Sequence, residues 1–173
     1  RVSYMKNLRK IKFSKHQKKI RALHILESKI ELLEGLGELP NFEAIKLYFV
    51  PLTRLELGPS LRTIDFELVN FKEVSGQENA TALELFKLKS CSILTHLDLE
   101  GLTSLKEIDF NYVTRIQSIS GWETLRSLEQ LRLIQTELRS FGVLPQQAPI
   151  EMIEATSAFT PPTLNRVKVD HLS

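Results

Sequence analysis

The chain has 173 residues, 42% of them hydrophobic and 25% charged, which is enough apolar material for one domain with its own core and too much for a disordered segment. No run approaches the ~18 apolar residues of a membrane span, no charged-then-apolar leader opens the chain, and a single cysteine, Cys91, excludes an internal disulfide framework and points to a reducing, cytoplasmic setting. The net charge of +2 hides an uneven distribution.

Residues 1–21 hold nine of the 23 basic residues, and no acid precedes Glu27. Residues 22–173 carry 14 basic and 21 acidic residues, a net of −7. Region 1–19 therefore reads either as a solvated basic cap or as a docking surface for something anionic. Lys10, Lys12, Lys18 and Lys19 are the candidate contacts there. Nucleic acid is the weakest of the anionic partners, since only Tyr4 and Phe13 are present to stack bases. No membrane partner is expected.

From residue 20 onward the chain repeats itself. The spacing L-x-x-L-x-L, with apolar substitutes, occurs at Ile20-Leu23-Ile25, Phe42-Ile45-Leu47, Leu61-Ile64-Phe66 and Leu83-Phe86-Leu88. It continues at Leu105-Ile108-Phe110, Leu128-Leu131-Leu133, Ile150-Ile153-Ala155 and Leu164-Val167-Val169. The starting positions are separated by 22, 19, 22, 22, 23, 22 and 14 residues. Between triplets a second ladder of apolar residues runs in steps of three: Ile30, Leu33, Leu36 and Leu39, then Ile116, Ile119, Trp122 and Leu125. Each triplet predicts a short strand stacking in parallel on its neighbours, and each ladder predicts an irregular or 3₁₀ segment running back, with both legs facing one core. Residues 20–163 form the repeats and 164–173 a last strand and C-terminal end. Leu52-Leu55-Leu57 and Leu94-Leu97-Leu99 also fit the triplet but read as return segments, which preserves the phase. Leu8-Ile11-Phe13 is open to two readings, a first strand or another return segment.

This pattern resembles a leucine-rich-repeat domain across nearly the whole chain. The resemblance implies an α/β solenoid of seven or eight repeats, with parallel strands on a concave face. The segments KLKSCSILTHLDLEGLTSLKEIDF and GWETLRSLEQLRL are most similar to the repeats of plant intracellular nucleotide-binding immune (disease resistance) receptors. That likeness implies a ligand-sensing or autoinhibitory repeat domain whose basic start faces an acidic intramolecular domain. Repeats of phosphatase-regulator type are similar too, which keeps a free-standing intracellular scaffold or adaptor open, as well as a substrate-recognition module of a ubiquitin ligase. Where the family often places Asn, Cys or Thr after the strand, this chain has Ser28, Val50, Val69, Cys91, Val113, Thr136 and Ala158.

Little in the sequence points to catalysis. There is no G-x-x-x-x-G-K phosphate loop, and His16, His24, His96 and His171 are scattered without metal-ligand spacing. Cys91 and Trp122 fall on core positions. No cofactor is expected. Binding is expected instead from the residues between the strand leucines, which alternate to the opposite face. Lys46, Tyr48, Asp65, Glu67, Lys87, Lys89, Glu107, Asp109 and Arg132 are the candidate contacts to a protein ligand, with Asp65, Lys87 and Asp109 forming a row of alternating charge.

Overall fold

The computed structural model describes residues 2–3, 5–138, 143 and 152–156. In chain order its strands are β1 (Val2–Ser3), β2 (Lys10–Lys12), β3 (Ala22–Leu26), β4 (Leu32–Glu34), β5 (Ala44–Tyr48), β6 (Arg54–Glu56), β7 (Thr63–Glu67), β8 (Glu73–Ser75), β9 (Leu85–Lys89), β10 (His96–Asp98), β11 (Glu107–Asn111), β12 (Ser118–Ser120), β13 (Gln130–Ile134) and β14 (Met152–Thr156). They wind into a β-solenoid. Eight of them form one parallel sheet in the order β1-β3-β5-β7-β9-β11-β13-β14. The other six lie on the return legs and pair in parallel as β2-β4, β6-β8 and β10-β12. Six return legs make about six turns, short of the seven or eight repeats expected. The triplet Leu164-Val167-Val169 lies outside the described residues.

The strand starts of the large sheet reproduce the sequence period, because each triplet puts its second and third apolar residues on one side of a five-residue strand. Ile45, Leu47, Ile64, Phe66, Phe86, Leu88, Ile108 and Phe110 are at most 1% exposed. The return ladder meets them from the other side. Ile30, Leu33, Leu36, Leu39, Ile116, Ile119, Trp122 and Leu125 are all buried, and the two legs close on one continuous core. Edge-on ring contacts, Phe86 on Phe110 at 5.5 Å and Phe66 on Phe71 at 5.6 Å, link neighbouring parts of that core.

The return legs differ from the expectation of irregular or 3₁₀ segments. Two 3₁₀ turns are present, Gln77–Asn79 and Trp122–Thr124, and no α-helix occurs among the described residues. The returns also carry the short strands β2, β4, β6, β8, β10 and β12. All three surplus triplets lie there, including Leu8-Ile11-Phe13, which is not the first strand of the large sheet; Val2–Ser3 is. A stacked turn offers its return leg a neighbour one turn away, 22 residues on in β2-β4 and β10-β12 and 19 in β6-β8, so local alternation such as Leu55-Glu56-Leu57 finds backbone partners there too.

Two backbone features hold the turns in register. The residue after each strand of the large sheet from β3 to β13 is left-handed: Glu27, Phe49, Leu68, Ser90, Tyr112 and Gln135 have φ between 46° and 57°. This turn aims its N–H at the next coil, as in Phe49 N to Glu67 O at 3.0 Å and Tyr112 N to Ile134 O at 2.8 Å. The column that follows is buried and mostly apolar, with Val50, Val69, Cys91 and Val113 at 1% exposure or less. At the opposite corner, the 19-residue turn is made possible by glycine. A Cβ on Gly58 would stand 2.7 Å from the Gly37 carbonyl oxygen, so the two corners touch backbone to backbone.

Candidate functional site

The face of the large sheet turned away from the core is built from every second strand residue. Parallel register aligns them in rows. The central row reads His24, Lys46, Asp65, Lys87, Asp109, Arg132 and Glu154, each the register partner of the next. A flanking row reads Leu26, Tyr48, Glu67, Lys89, Asn111, Ile134 and Thr156 in the same way. The alternating charge expected of Asp65, Lys87 and Asp109 is thus present and extends in both directions.

These charges engage one another. Lys46 reaches Asp65 at 2.5 Å, Lys89 reaches Glu67 at 2.9 Å, and Lys87 reaches Asp109 at 2.9 Å, with Arg132 3.9 Å from the same carboxylate. The hydrogen bond to Asp109 raises the Lys87 pKa above its ordinary value; burial opposes the shift, and the charges of Asp109, Asp65 and Glu107 reinforce it. Lys89 is raised in the same direction by its hydrogen bond to Glu67.

One residue departs from the expected strip. Asp109 is only 4% exposed and is not a free contact on the face. Lys87 and Arg132, long and flexible, lie to either side and cover it, which alternation along a strand cannot reveal. Asp109 Oδ1 and, two residues on, Asn111 Oδ1 are buried without a hydrogen-bond partner among the described residues. Lys46 and Lys89 are exposed, while Tyr48, Asp65, Glu67, Lys87, Glu107 and Arg132 are half-buried. Glu107 also lines a cleft of about 250 Å³ at the strand starts, with Thr63, Glu84, Leu85, Lys106, Glu129 and Gln130. Glu84 there is held between Arg62 at 3.0 Å and Lys106 at 3.4 Å.

The basic terminus divides into two groups. Arg9 pairs with Glu31, Lys10 with Glu34 at 2.5 Å, and Arg21 with Glu43 at 2.9 Å, all acids of the following turn. The sequence places no acid before Glu27, and stacking brings these from the following turn. An acid about one period downstream of a base is the signal that reveals them. Lys6, Lys12, Lys15, Lys18 and Lys19 are exposed and form no ion pair among the described residues.

The return legs hold one further polar group. His96 and Ser118 are hydrogen-bonded, and Ser120 donates to Asp98 Oδ1 at 2.9 Å. The carboxylate thus orients a hydroxyl and not the imidazole. Cys91 is buried, its thiol donates to the Lys89 carbonyl, and burial pushes its pKa from 9.0 up to about 11. Among the described residues no group of three or more His, Cys, Asp or Glu is placed to hold a metal ion.

Sequence reasoning did not find Phe49 and Tyr112, which are 61% and 53% exposed beside the strip. Neither is glycine or asparagine, so nothing in the sequence marked their left-handed turns. No protein family matches the chain by its sequence profile, and comparison with curated proteins and with solved structures finds no match to it. The fold is that of a parallel-strand solenoid compatible with a leucine-rich-repeat-like domain.

Proposed function

We propose that this chain is a non-enzymatic protein-recognition module of leucine-rich-repeat type, and that the open face of its large sheet is the concave binding surface. The supporting observation is the row architecture: cross-register ion pairs beside an aromatic edge at Tyr48, Phe49 and Tyr112, a mixed polar and apolar surface of the kind that binds proteins. The sequence resemblance carries the finer reading, that of the ligand-sensing or autoinhibitory repeats of a plant cytoplasmic immune receptor. In that reading the lysines of the first turn meet an acidic domain of the same protein. The analogy is one of fold and pattern.

The test uses a photo-crosslinking residue at Tyr48 and, in a second preparation, at Gln117 on the return leg. The expected result is an adduct from Tyr48 that excess unlabelled protein competes away and excess Lys46→Glu/Lys89→Glu protein does not. Adducts formed equally from Gln117, or competed equally by the charge-reversed protein, overturn the assignment of the face. Lys46 and Lys89 are chosen because both are exposed, whereas reversal at Asp109 would disturb the fold.

A further inference from the structure

Between residues 20 and 138 the large apolar side chains that stand exposed are Phe49, Leu68 and Tyr112, at 61%, 38% and 53%. All three occupy the same kind of position, the left-handed residue that follows a strand of the large sheet. Successive coils align them. Phe49 N donates to Glu67 O, Leu68 N to Lys89 O, Ser90 N to Asn111 O and Tyr112 N to Ile134 O, at 2.8–3.0 Å. Phe49, Leu68, Ser90 and Tyr112 therefore form one column along the edge of the solenoid, one residue per coil. A Cβ makes the left-handed region unfavourable, and glycine or asparagine would sit there with least strain. Folding alone gives no reason to hold a phenylalanine, a leucine and a tyrosine there in water.

Three properties of this edge define what it can hold. It carries no net charge: two residues on in each coil come Pro51, Asn70, Ser92 and Thr114, and on the strand side Lys89 neutralises Glu67 at 2.9 Å. Its backbone is engaged, because the N–H groups of the column already donate to the next coil, which leaves none for an added strand. Its relief has a period. Leu68 and Tyr112 stand two coils apart with the short Ser90 between them, and two coils at the usual parallel-strand spacing span about 9.6 Å. One turn of a polyproline II helix, three residues, advances about 9.3 Å. An α-helix repeats every ~5.4 Å and would meet the gap at Ser90 with every second turn.

We propose that this edge binds an uncharged, proline-rich segment of a partner protein in the polyproline II conformation. The segment runs along the column, and the apolar residues of successive turns pack on Leu68 and Tyr112, with Phe49 closing one end. A polyproline II helix has no internal hydrogen bonds, and proline has no N–H, so its carbonyls seek donors. The hydroxyls of Ser90, Tyr112 and Thr114 lie along this same edge. Proline is already extended before it binds, so little order is lost on an edge that offers no deep cleft. The proposal rests on the protein-recognition reading of the chain and adds to it the class of segment and its place on the turn edge, beside the charged rows.

The experiment titrates the whole chain with a fluorescent peptide of repeating Pro-Pro-Leu. A Gly-Ser-Leu repeat of equal length and a neutral glucan oligosaccharide serve as comparisons. The titrations are repeated with Phe49→Asn/Tyr112→Asn protein, whose new side chains suit the left-handed backbone, so that its melting temperature should equal or exceed that of the parent. The expected result is at least fivefold tighter binding of the proline repeat than of the glycine repeat, and at least tenfold weaker binding of the proline repeat to the variant. Equal binding of the two repeats, binding that the variant leaves unchanged, tighter binding of the glucan, or no binding of the proline repeat overturns the proposal. A clearly lower melting temperature of the variant shows rings that hold the fold, and overturns it too. Crosslinking from Tyr48 competed by Lys46→Glu/Lys89→Glu protein reads the protein-recognition face separately: if that test succeeds and the proline repeat fails, the recognition reading stands and the proline-rich segment falls.

Discussion

Lys87 and Asp109, 22 residues apart in sequence, meet at 2.9 Å on adjacent strands, the lysine half-exposed above a carboxylate that is almost wholly covered. The two ends of this bond are therefore unequal. An ammonium that loses its partner turns to water, whereas the carboxylate stays buried with Arg132 at 3.9 Å as its remaining cation. Lys87→Ala should cost about 1.5–3 kcal/mol, as expected for a hydrogen bond between charged groups. The more exposed Arg62→Ala, which breaks a pair with Glu84, should cost under about 1 kcal/mol. Adding Asp109→Ala to Lys87→Ala should cost less than the single changes sum to, and chemical denaturation of the four proteins measures that coupling. Equal costs for Lys87 and Arg62 would show that burial of Asp109 carries no weight. Because folding raises the Lys87 pKa, its contribution is complete below the ordinary value of 10.5 and is lost as pH rises through the folded value.

Cys91 adds a second alkaline effect through an acid. Its thiol is pushed up to about 11 by burial, so above pH 9.0 the unfolded chain ionises first and the native state holds the extra proton. Stability should fall between pH 9.0 and about 11, by on the order of 2 kcal/mol. Cys91→Ala should flatten this part of the profile while the Lys87 part persists. Under native conditions at pH 8 a thiol reagent should label Cys91 only as fast as the chain opens. Rapid stoichiometric labelling would contradict its place in the buried column.

Leu131 reports on the coupling between turns. It is fully buried on β13, in register with Ile108 before it and Ile153 after it. Leu131→Ala should cost ~2–5 kcal/mol, and amide exchange should quicken in β11 as well as β13, because each turn is stable only against its neighbours. A loss below ~0.5 kcal/mol, or an effect confined to β13, would place Leu131 outside a shared core.

The strands of the large sheet were legible because burial enforces them. A slip of one residue would put Ile45 and Leu47 in water and Lys46 in the core, so apolar spacing fixes both phase and facing. The return strands were not legible from spacing alone: Leu52-Leu55-Leu57 and Leu61-Ile64-Phe66 have the same pattern, and only the neighbouring turn decides which ladder each joins. Asp109 was misplaced for a related reason. Alternation gave its face correctly, but its burial comes from Lys87 and Arg132 on other strands. The neutralised part of the basic terminus escaped a reading that looked only along the chain, although Arg9 and Glu31, like Arg21 and Glu43, stand one period apart.

The glycine contact between the corners at Gly37 and Gly58 bears on how such a chain can change its length. The 19-residue turn saves its three residues between β6 and β7, which are joined by six residues where β4 and β5 are joined by nine. Its strand still pairs residue for residue with both neighbours. Small deletions are thus absorbed at a corner that can be drawn tight, while the five-residue strands remain fixed in length. A gene encoding this coil can lose a few codons at the corner or gain a whole turn of about 22. The loss of a single codon within a strand would turn every later side chain of that strand to the wrong face. The periodic pattern therefore sets a grammar for its own insertions and deletions, with the turn as its word and the corner as an elastic syllable.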